Sequence, residues 1–225
     1  MVEILDYKKA FKAYYQPSTK PGIIDMPEMT FIAVDGHGNP NTSDEYRLAL
    51  EMLYGLTYTI KMSKMNGTQP AGYFEYKVFP LEGLWWFQDQ RALTGSLSTE
   101  DKEALKWRSM ICQPDFVDES VLDFAKAILA KKRPASDLSK AFLFKFREGL
   151  CVQCMHIGPY DTEAITIASM IQFAQDQGYT EDLSETRGHH EIYLGDPRRT
   201  APEKLKTVIR HPIRKTDEIF AHWAF

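Results

Sequence analysis

The chain has 225 residues, of which 44% are hydrophobic, so it can bury one sizeable core or two small lobes packed as a unit. Its formal net charge of −4 argues against a nucleic-acid partner, because nucleic-acid-binding domains usually carry a basic patch. No segment has the apolar length of a signal sequence or a membrane span, so we expect a cytoplasmic protein that binds no membrane.

The first predicted feature is an N-terminal arm. Residues 1–27 are polar and interrupted by prolines, and we expect them to lie on a single domain formed by residues 28–225. That domain begins with a strand at Met29–Asp35, which is rich in β-branched and aromatic side chains. The turn formers of residues 36–41 end this strand.

A helix and a hairpin are predicted next. Thr42 and Glu45 have the spacing of a capping box, and apolar residues at helical spacing extend from there to about Met65. After a break, residues 73–79 and 84–87 have strand character and are separated by a short turn. The first structural unit is therefore a strand, a helix and a hairpin.

Two helices are predicted in the middle of the chain, within a helical insert at about residues 98–135. The first has a capping pattern at Ser98, and we expect it to continue to Cys112. The second runs from Asp118 to Lys132 and ends before a proline. Both helices are expected to flank the domain or to cover one end of a groove.

The last part of the chain repeats the order of the first unit. We predict strands at residues 142–146 and 150–157 and a helix at residues 161–177. Strands at residues 189–194 and 206–213 form the final hairpin. Aligning the glycines of the two strand-to-helix turns sets Glu75 against Glu191, which indicates an internal duplication. Repeat one then spans about residues 28–90, and repeat two spans about residues 140–215.

Several motifs of the second unit carry a family resemblance. His189–Arg199, Lys204–Arg210 and Pro212 resemble the C-terminal signature of GyrI-like small-molecule-binding domains. Met155–Tyr160 resembles the helix-entry turn of the same family. Together with the duplicated unit, the resemblance extends over residues 27–213.

The resemblance implies an α+β fold of two βαββ repeats, of the type called SHS2, related by pseudo-two-fold symmetry. Its antiparallel sheet has the helices on one side, and the ligand groove lies between the repeats. Family members include drug-sensing domains of transcription regulators and free-standing relatives of a DNA gyrase inhibitor. We expect no DNA-binding domain like that of the regulators in this chain. It is more similar to a free-standing subset, the cyclopropanoid cyclopropyl hydrolases, which open the cyclopropane of DNA-alkylating natural products in an aromatic cage.

Three functions follow as hypotheses. The first, implied by this subset, is an enzyme that binds small aromatic or cationic xenobiotics and hydrolyses the cyclopropane of alkylating toxins, which protects the cell. The second is a protein that binds or sequesters such molecules without changing them. The third is a protein-binding module like the gyrase inhibitor, although the sequence shows no convincing exposed patch for it and identifies no protein partner.

The candidate catalytic residues are Glu191 and Tyr193. Strand alternation places them on one face, expected to be the groove, and places Ile192 on the other face, expected to lie under the helices. A carboxylate beside aromatic rings can have a pKa suited to acid–base chemistry, and Glu191 would position and deprotonate a water. The alternative is a structural charge paired with Arg210 or Arg187.

Aromatic residues dominate the candidate ligand-binding set. We predict that the set contains Tyr54, Tyr58, Tyr76, Trp85, Trp86, Trp107 and His156. Trp85 and Trp86 are adjacent in a strand, so only one of them can enter the groove. Trp107, on the predicted inserted helix, would close the cage from above. Each aromatic residue also has an alternative interpretation as part of the core.

Neither a metal nor another cofactor is expected. Cys112, Cys151 and Cys154 are too few for a disulfide framework, and the last two would point to opposite faces of a strand. His189 and Glu191 share a strand face, but no third metal ligand stands at a telling spacing. We therefore interpret His189 as a polar residue at a strand end and the cysteines as free thiols.

Overall fold

The computed structural model describes residues 4–89 and 97–216, which form an antiparallel sheet with helices packed on it. The helices α1 to α6 are Tyr7–Ala10, Lys12–Tyr15, Asp44–Lys61, Thr99–Glu103, Glu119–Lys132 and Glu163–Asp176. The strands β1 to β7 are Gly22–His37, Leu81–Phe87, Leu105–Cys112, Phe142–Ile157, Tyr179–Glu181, His189–Tyr193 and Lys206–Lys215. Within these residues, no helix has the length and apolar character needed to cross a membrane.

The strands lie in the order β4-β1-β3-β2-β6-β7-β5, and β4 also pairs with β7. Strands β2 and β6 meet near the middle of this row. Their register sets Gly83 opposite Glu191 and Trp85 opposite His189. The contact between β2 and β6 therefore joins the first half of the chain to the second.

When the short helix α4 and the short edge strand β5 are set aside, the order of one strand, one helix and two strands occurs twice, as β1-α3-β2-β3 and as β4-α6-β6-β7. Gly38 and Gly158 occupy the two strand-to-helix turns with positive φ angles of 92° and 140°, which glycine adopts readily. Their amides donate to the carbonyls of Leu105 and Leu205 at 2.8 and 3.0 Å. The mixed α+β class is confirmed, and these shared features favour the duplication, which stays a prediction.

The hairpin of the first unit differs from the predicted one. Residues 73–79 form no strand and contribute a single bridge between Tyr76 and Leu5, so the hairpin consists of β2 and β3. The alignment of Glu75 with Glu191 was therefore wrong. Glu75 instead binds Lys61 in an ion pair of 2.7 Å, and this pairing satisfies its charge.

The predicted helix from Ser98 to Cys112 was also wrong. Ser98 does form a capping box with Asp101, but the resulting helix α4 ends at Glu103. The following residues form the central strand β3, in which Trp107 is fully buried. The capping signal is thus correct locally, whereas burial between β1 and β2 determines the structure after it.

Several element boundaries differ from the prediction. Ser43, not Thr42, caps α3 by accepting a hydrogen bond from the amide of Tyr46. Thr162, not Asp161, occupies the N-cap position of α6. The N-terminal segment joins the sheet at Gly22, earlier than the predicted end of the arm. The two strands expected within residues 142–157 are one continuous strand.

A buried ion network lies on the face of the sheet opposite the long helices. Arg210 donates to Glu148 at 2.8 Å, and His190 lies 3.1 Å from Glu148 and 3.0 Å from Glu82. The Tyr15 hydroxyl donates to the other oxygen of Glu82 at 3.2 Å. The network joins strands β2, β4, β6 and β7 to the N-terminal segment.

Each charge in this network stabilises its partners. Burial alone would raise the pKa of Glu148, but His190 and Arg210 lower it to about 2. Burial alone would lower the pKa of His190, but Glu148 and Glu82 raise it to about 9. His190 is therefore a cation at neutral pH.

We predict that Glu148→Gln destabilises the protein by roughly 3–5 kcal/mol, because it leaves buried cations without a carboxylate. Asp35→Asn is the matched control, since Asp35 also binds an arginine, Arg108, at 2.6 and 2.7 Å but is 46% exposed. An exposed pair contributes about 1 kcal/mol or less. Urea unfolding measures both free energies, and equal losses would contradict this account of the network.

The network also predicts a pH dependence of stability. The pKa of His190 rises from 6.5 to about 9 on folding, so its stabilising effect is complete below pH 6.5 and is lost as the pH rises through about 9. The difference in unfolding free energy between wild type and His190→Gln should therefore shrink between these pH values. Urea titrations across this range measure it, and a constant difference would exclude a charged His190.

Candidate functional site

A cavity of about 1270 Å³ lies between helices α3 and α6, with strands β2 and β6 as its floor. The loop that follows β6 closes part of one side. The side chains that line the floor and walls include Tyr46, Tyr54, Tyr58, Trp85, Tyr160, Glu163, Ile167, His189, Glu191, Tyr193 and Leu194. The cavity thus combines aromatic walls with the carboxyl groups of Glu163 and Glu191 near its floor.

The floor depends on the side-chain alternation of β2 and β6. Glu191 and Tyr193 face the cavity, and the indole of Trp85 donates to the Tyr193 hydroxyl at 3.1 Å. A Cβ atom on Gly83 would lie only 2.8 Å from the Trp85 indole nitrogen, so this glycine gives the indole its space. Ile192 faces the opposite side, beside the N-terminal segment and not under the helices, because α3 and α6 cover the face that carries Glu191.

Glu191 binds a histidine, not an arginine. Nε2 of His189 lies 2.9 Å from Oε1 of Glu191, whereas the expected partners Arg210 and Arg187 bind Glu148 and Asp182. Burial alone would raise the pKa of Glu191, but hydrogen bonding to His189 and its nearby charge lower the pKa. Glu191 is therefore ionised at neutral pH.

Glu163, at the start of α6, is the second carboxyl group of the cavity. Glu163 is 5% exposed, and its Oε1 has no hydrogen-bond partner among the described residues. Burial raises its pKa well above the usual value, and the charge of Glu191 raises it further. Both effects favour the neutral form of Glu163 beside the ionised Glu191, as expected for two carboxyl groups that share a site.

The same groups could be considered for a metal ion. Donor atoms of Glu163, His189 and Glu191 all lie within 4.8 Å of one another. However, both ring nitrogens of His189 are already bonded, Nε2 to Glu191 and Nδ1 to His211 at 2.6 Å. His189 therefore has no unbonded ring nitrogen to offer a metal ion.

Aromatic rings support one another around the cavity. Tyr46 lies 5.8 Å from Trp85 and meets the buried Trp107 edge to face at 5.0 Å between ring centroids. Tyr160 meets Tyr193 in the same geometry at 5.8 Å. Edge-to-face pairs of this kind stabilise a fixed ring orientation, so the cage is preformed.

Five of the nine predicted site residues line the cavity, namely Tyr54, Tyr58, Trp85, Glu191 and Tyr193. The other four lie outside its wall. Tyr76 is buried in an aromatic cluster around Phe116, and Trp86 points to the face opposite Trp85. Trp107 lies on β3, not on a helix, and stands behind Tyr46, while His156 is buried against Thr166 at 2.8 Å.

Sequence reasoning missed three groups of this site. Glu163 stands in the first turn of a helix, where acidic residues are common for reasons of helix stability alone. Tyr46 occupies an apolar position of the α3 pattern, and Tyr160 belongs to a turn. His189 was identified but was not predicted to contact Glu191. Only the packing of α3 and α6 across the sheet reveals the set.

Two arginines at the rim of the cavity form ion pairs with neighbouring carboxylates. Arg47 binds Glu51 at 2.7 Å, and Arg198 binds Asp196 at 3.0 Å. Because these pairs are exposed, solvent screens them further. The carboxyl groups of Glu163 and Glu191 are the acidic groups on the floor, whereas these exposed ion pairs belong to the rim. The three cysteines are free and buried, as expected, and lie outside the cavity wall.

Known structures resemble this chain over nearly its whole length. An uncharacterized conserved protein from Listeria innocua is 46% identical, with a TM-score of 0.86, and the match covers 93% of this chain and 100% of that chain. A second Listeria innocua protein, described as a hydrolase, is 45% identical, with a TM-score of 0.85 and coverage of 94% and 100%. The C-terminal domain of EcmrR, at 12% identity and a TM-score of 0.54, shares only the fold, with coverage of 88% and 98%.

The family comparison agrees with these structures. No functionally curated protein matches the chain. The GyrI-like small molecule binding domain matches residues 115–214, which include α5, α6 and strands β4 to β7. The chain therefore belongs to the GyrI-like family of small-molecule-binding proteins.

Proposed function

We propose that this protein binds multi-ring aromatic xenobiotics and hydrolyses the strained cyclopropane of cyclopropanoid alkylating agents. The observation that carries the proposal is the position of Glu191, an ionised carboxylate on the floor of an aromatic cavity beside the neutral acid Glu163. The description of a 45% identical relative as a hydrolase supports the reaction class. The family resemblance in the sequence supports the substrate class.

The cavity suits a large, flat ligand. Its volume of about 1270 Å³ exceeds that of many drug-sized pockets, which measure roughly 300–1000 Å³. Trp85, Tyr54 and Tyr160 offer ring faces or edges from the floor and from two walls. Stacking on such rings holds an aromatic ligand so that its reactive atom lies above Glu191.

The reaction adds one water to the ligand. Glu191 accepts a proton from water while the water oxygen bonds to the cyclopropane methylene carbon. The bond from that carbon to the ring breaks, and its electron pair converts the dienone into a phenolate. The phenolate oxygen takes a proton from solvent at the mouth of the cavity, where Tyr54 is 39% exposed. Formation of the aromatic ring supplies the driving force.

We predict that replacing glutamate by glutamine has different effects on kcat at the two floor positions. Glu191→Gln should lower kcat by about 100-fold or more, because the amide cannot accept the proton. Glu163→Gln should retain kcat within about threefold, because the amide replaces an acid that is already neutral. Liquid chromatography with mass detection follows the gain of one water by a cyclopropane-bearing alkylator over many turnovers. Full activity in Glu191→Gln would reject its role, and tight binding of an unchanged compound by wild type would leave a sequestering protein.

The aromatic wall can be tested without turnover. Tyr54→Ala removes an exposed ring from α3 and should weaken binding of the same alkylator by about fivefold, since one aromatic contact contributes roughly 1 kcal/mol. Phe124→Ala is the matched control, because Phe124 is 38% exposed on α5 outside the cavity wall. Quenching of tryptophan fluorescence in the Glu191→Gln background measures the Kd. Equal affinities for the two variants would place the ligand elsewhere.

A further inference from the structure

A row of hydrogen-bonded side chains leads from the cavity floor to the outer edge of the sheet. Nε2 of His189 lies 2.9 Å from Glu191, and its Nδ1 lies 2.6 Å from Nε2 of His211. Nδ1 of His211 lies 2.5 Å from Oε1 of Glu181. Four titratable groups therefore form one continuous chain across strands β6, β7 and β5.

The sheet register produces this row. His190 pairs with Arg210, and the neighbouring residues His189 and His211 point together to the opposite face. Glu181, in the edge strand β5, reaches the same face at the end of β7. The two imidazoles are enclosed, with side-chain exposures of 4% and 1%, whereas the Glu181 side chain is 22% exposed. Glu191 and its neighbour His189 line the cavity, and Glu181 at the other end is the most exposed group of the row.

The row can carry a proton from one end to the other. When Glu191 has taken a proton from water, the three hydrogen bonds can each hold one proton, on Glu191 and on Nδ1 of each imidazole. His189 can pass its Nδ1 proton to His211, and His211 can pass its own Nδ1 proton to Glu181. In the same sequence His189 accepts the Glu191 proton at Nε2, and after Glu181 releases its proton to solvent both rings return to the Nδ1 tautomer before the next transfer. No bond other than N–H and O–H bonds changes.

We propose that His189, His211 and Glu181 form a proton relay that connects Glu191 to solvent behind the cavity. This inference rests on the proposed function, in which Glu191 takes a proton from water while a ligand fills the cavity. The Glu191 side chain is only 15% exposed even without a ligand. A bound ring system would cover that remaining surface, and the relay supplies the exit for the proton.

Other charged groups near the relay do not interrupt it. Glu163 from α6 and the hydroxyls of Tyr46 and Tyr193 face Glu191. Glu148 from β4 acts on His211 only through space, since its carboxylate binds His190 and Arg210. Glu181 touches no cavity residue, so it is a positioning and proton-transfer residue that acts through His211.

The relay predicts a chemical rescue. Glu181→Ala should lower kcat by about tenfold with little change in KM, because proton export, and not ligand binding, becomes slow. Added formate should restore most of this loss, since a small carboxylate can replace the missing acceptor at the exposed end. Glu185→Ala is the matched control, an exposed glutamate in the following loop, and should change neither value. A loss that formate does not restore, or one that appears in KM, would overturn the relay.

A second measurement is independent of any substrate. The imidazole nitrogens of His189 and His211 are followed by NMR across the pH range in which histidines titrate. Glu191→Gln should shift the titration of His211, which does not contact Glu191, and Glu181→Ala should shift that of His189. Absence of both shifts overturns the relay whatever the protein hydrolyses. If the shifts are present but no alkylator is hydrolysed, the relay stands and the proposed reaction fails.

Discussion

Strand β6 carries ionisable side chains on both faces of the sheet. The free-energy cost of burying them determines which side chains must lie next to the strand. A buried charge without a partner is strongly destabilising, so each face must supply one. On one face, His190 binds Glu148 and Glu82. On the other, Glu191 binds His189. Because successive side chains of a strand alternate, two adjacent histidines belong to two separate networks.

The buried ion network also fixes the geometry of the cavity. Its members Glu82, Glu148, His190 and Arg210 come from four different strands, so their hydrogen bonds hold β2, β4, β6 and β7 in one register. The opposite faces of β2 and β6 then present the floor of the cavity. A floor held in this way needs no rearrangement when a ligand binds, which favours both affinity and catalysis.

The sequence predicted the second half of the fold better than the first. Strands β6 and β7 and helix α5 lie close to their expected positions, because alternation, capping residues and turn formers agree there. Strand β3 was missed because a capping box precedes it. The capping box starts a helix, but that helix is short and ends at Glu103. Propensity is local, whereas the burial of Trp107 between two neighbouring strands is decided by the whole sheet.

The same limit applies to the site. Alternation was enough to place Glu191 and Tyr193 on one face, and the exposed flank of α3 indicated Tyr54 and Tyr58. Nothing in the sequence indicates that Glu163 reaches Glu191, since the two residues are 28 positions apart on different elements. Their contact exists only because α6 packs across the sheet.

The protonated state of Glu163 bears on the choice between a binding site and an enzyme. A site built only to attract cations gains from every ionised carboxylate, yet here the close approach of Glu163 and Glu191 leaves one charge where two were available. The remaining charge lies on Glu191, which belongs to a row of hydrogen-bonded groups that reaches solvent through two histidines and Glu181. Charge complementarity alone does not require such a row, whereas repeated proton transfer does, and the arrangement therefore favours hydrolysis over simple sequestration.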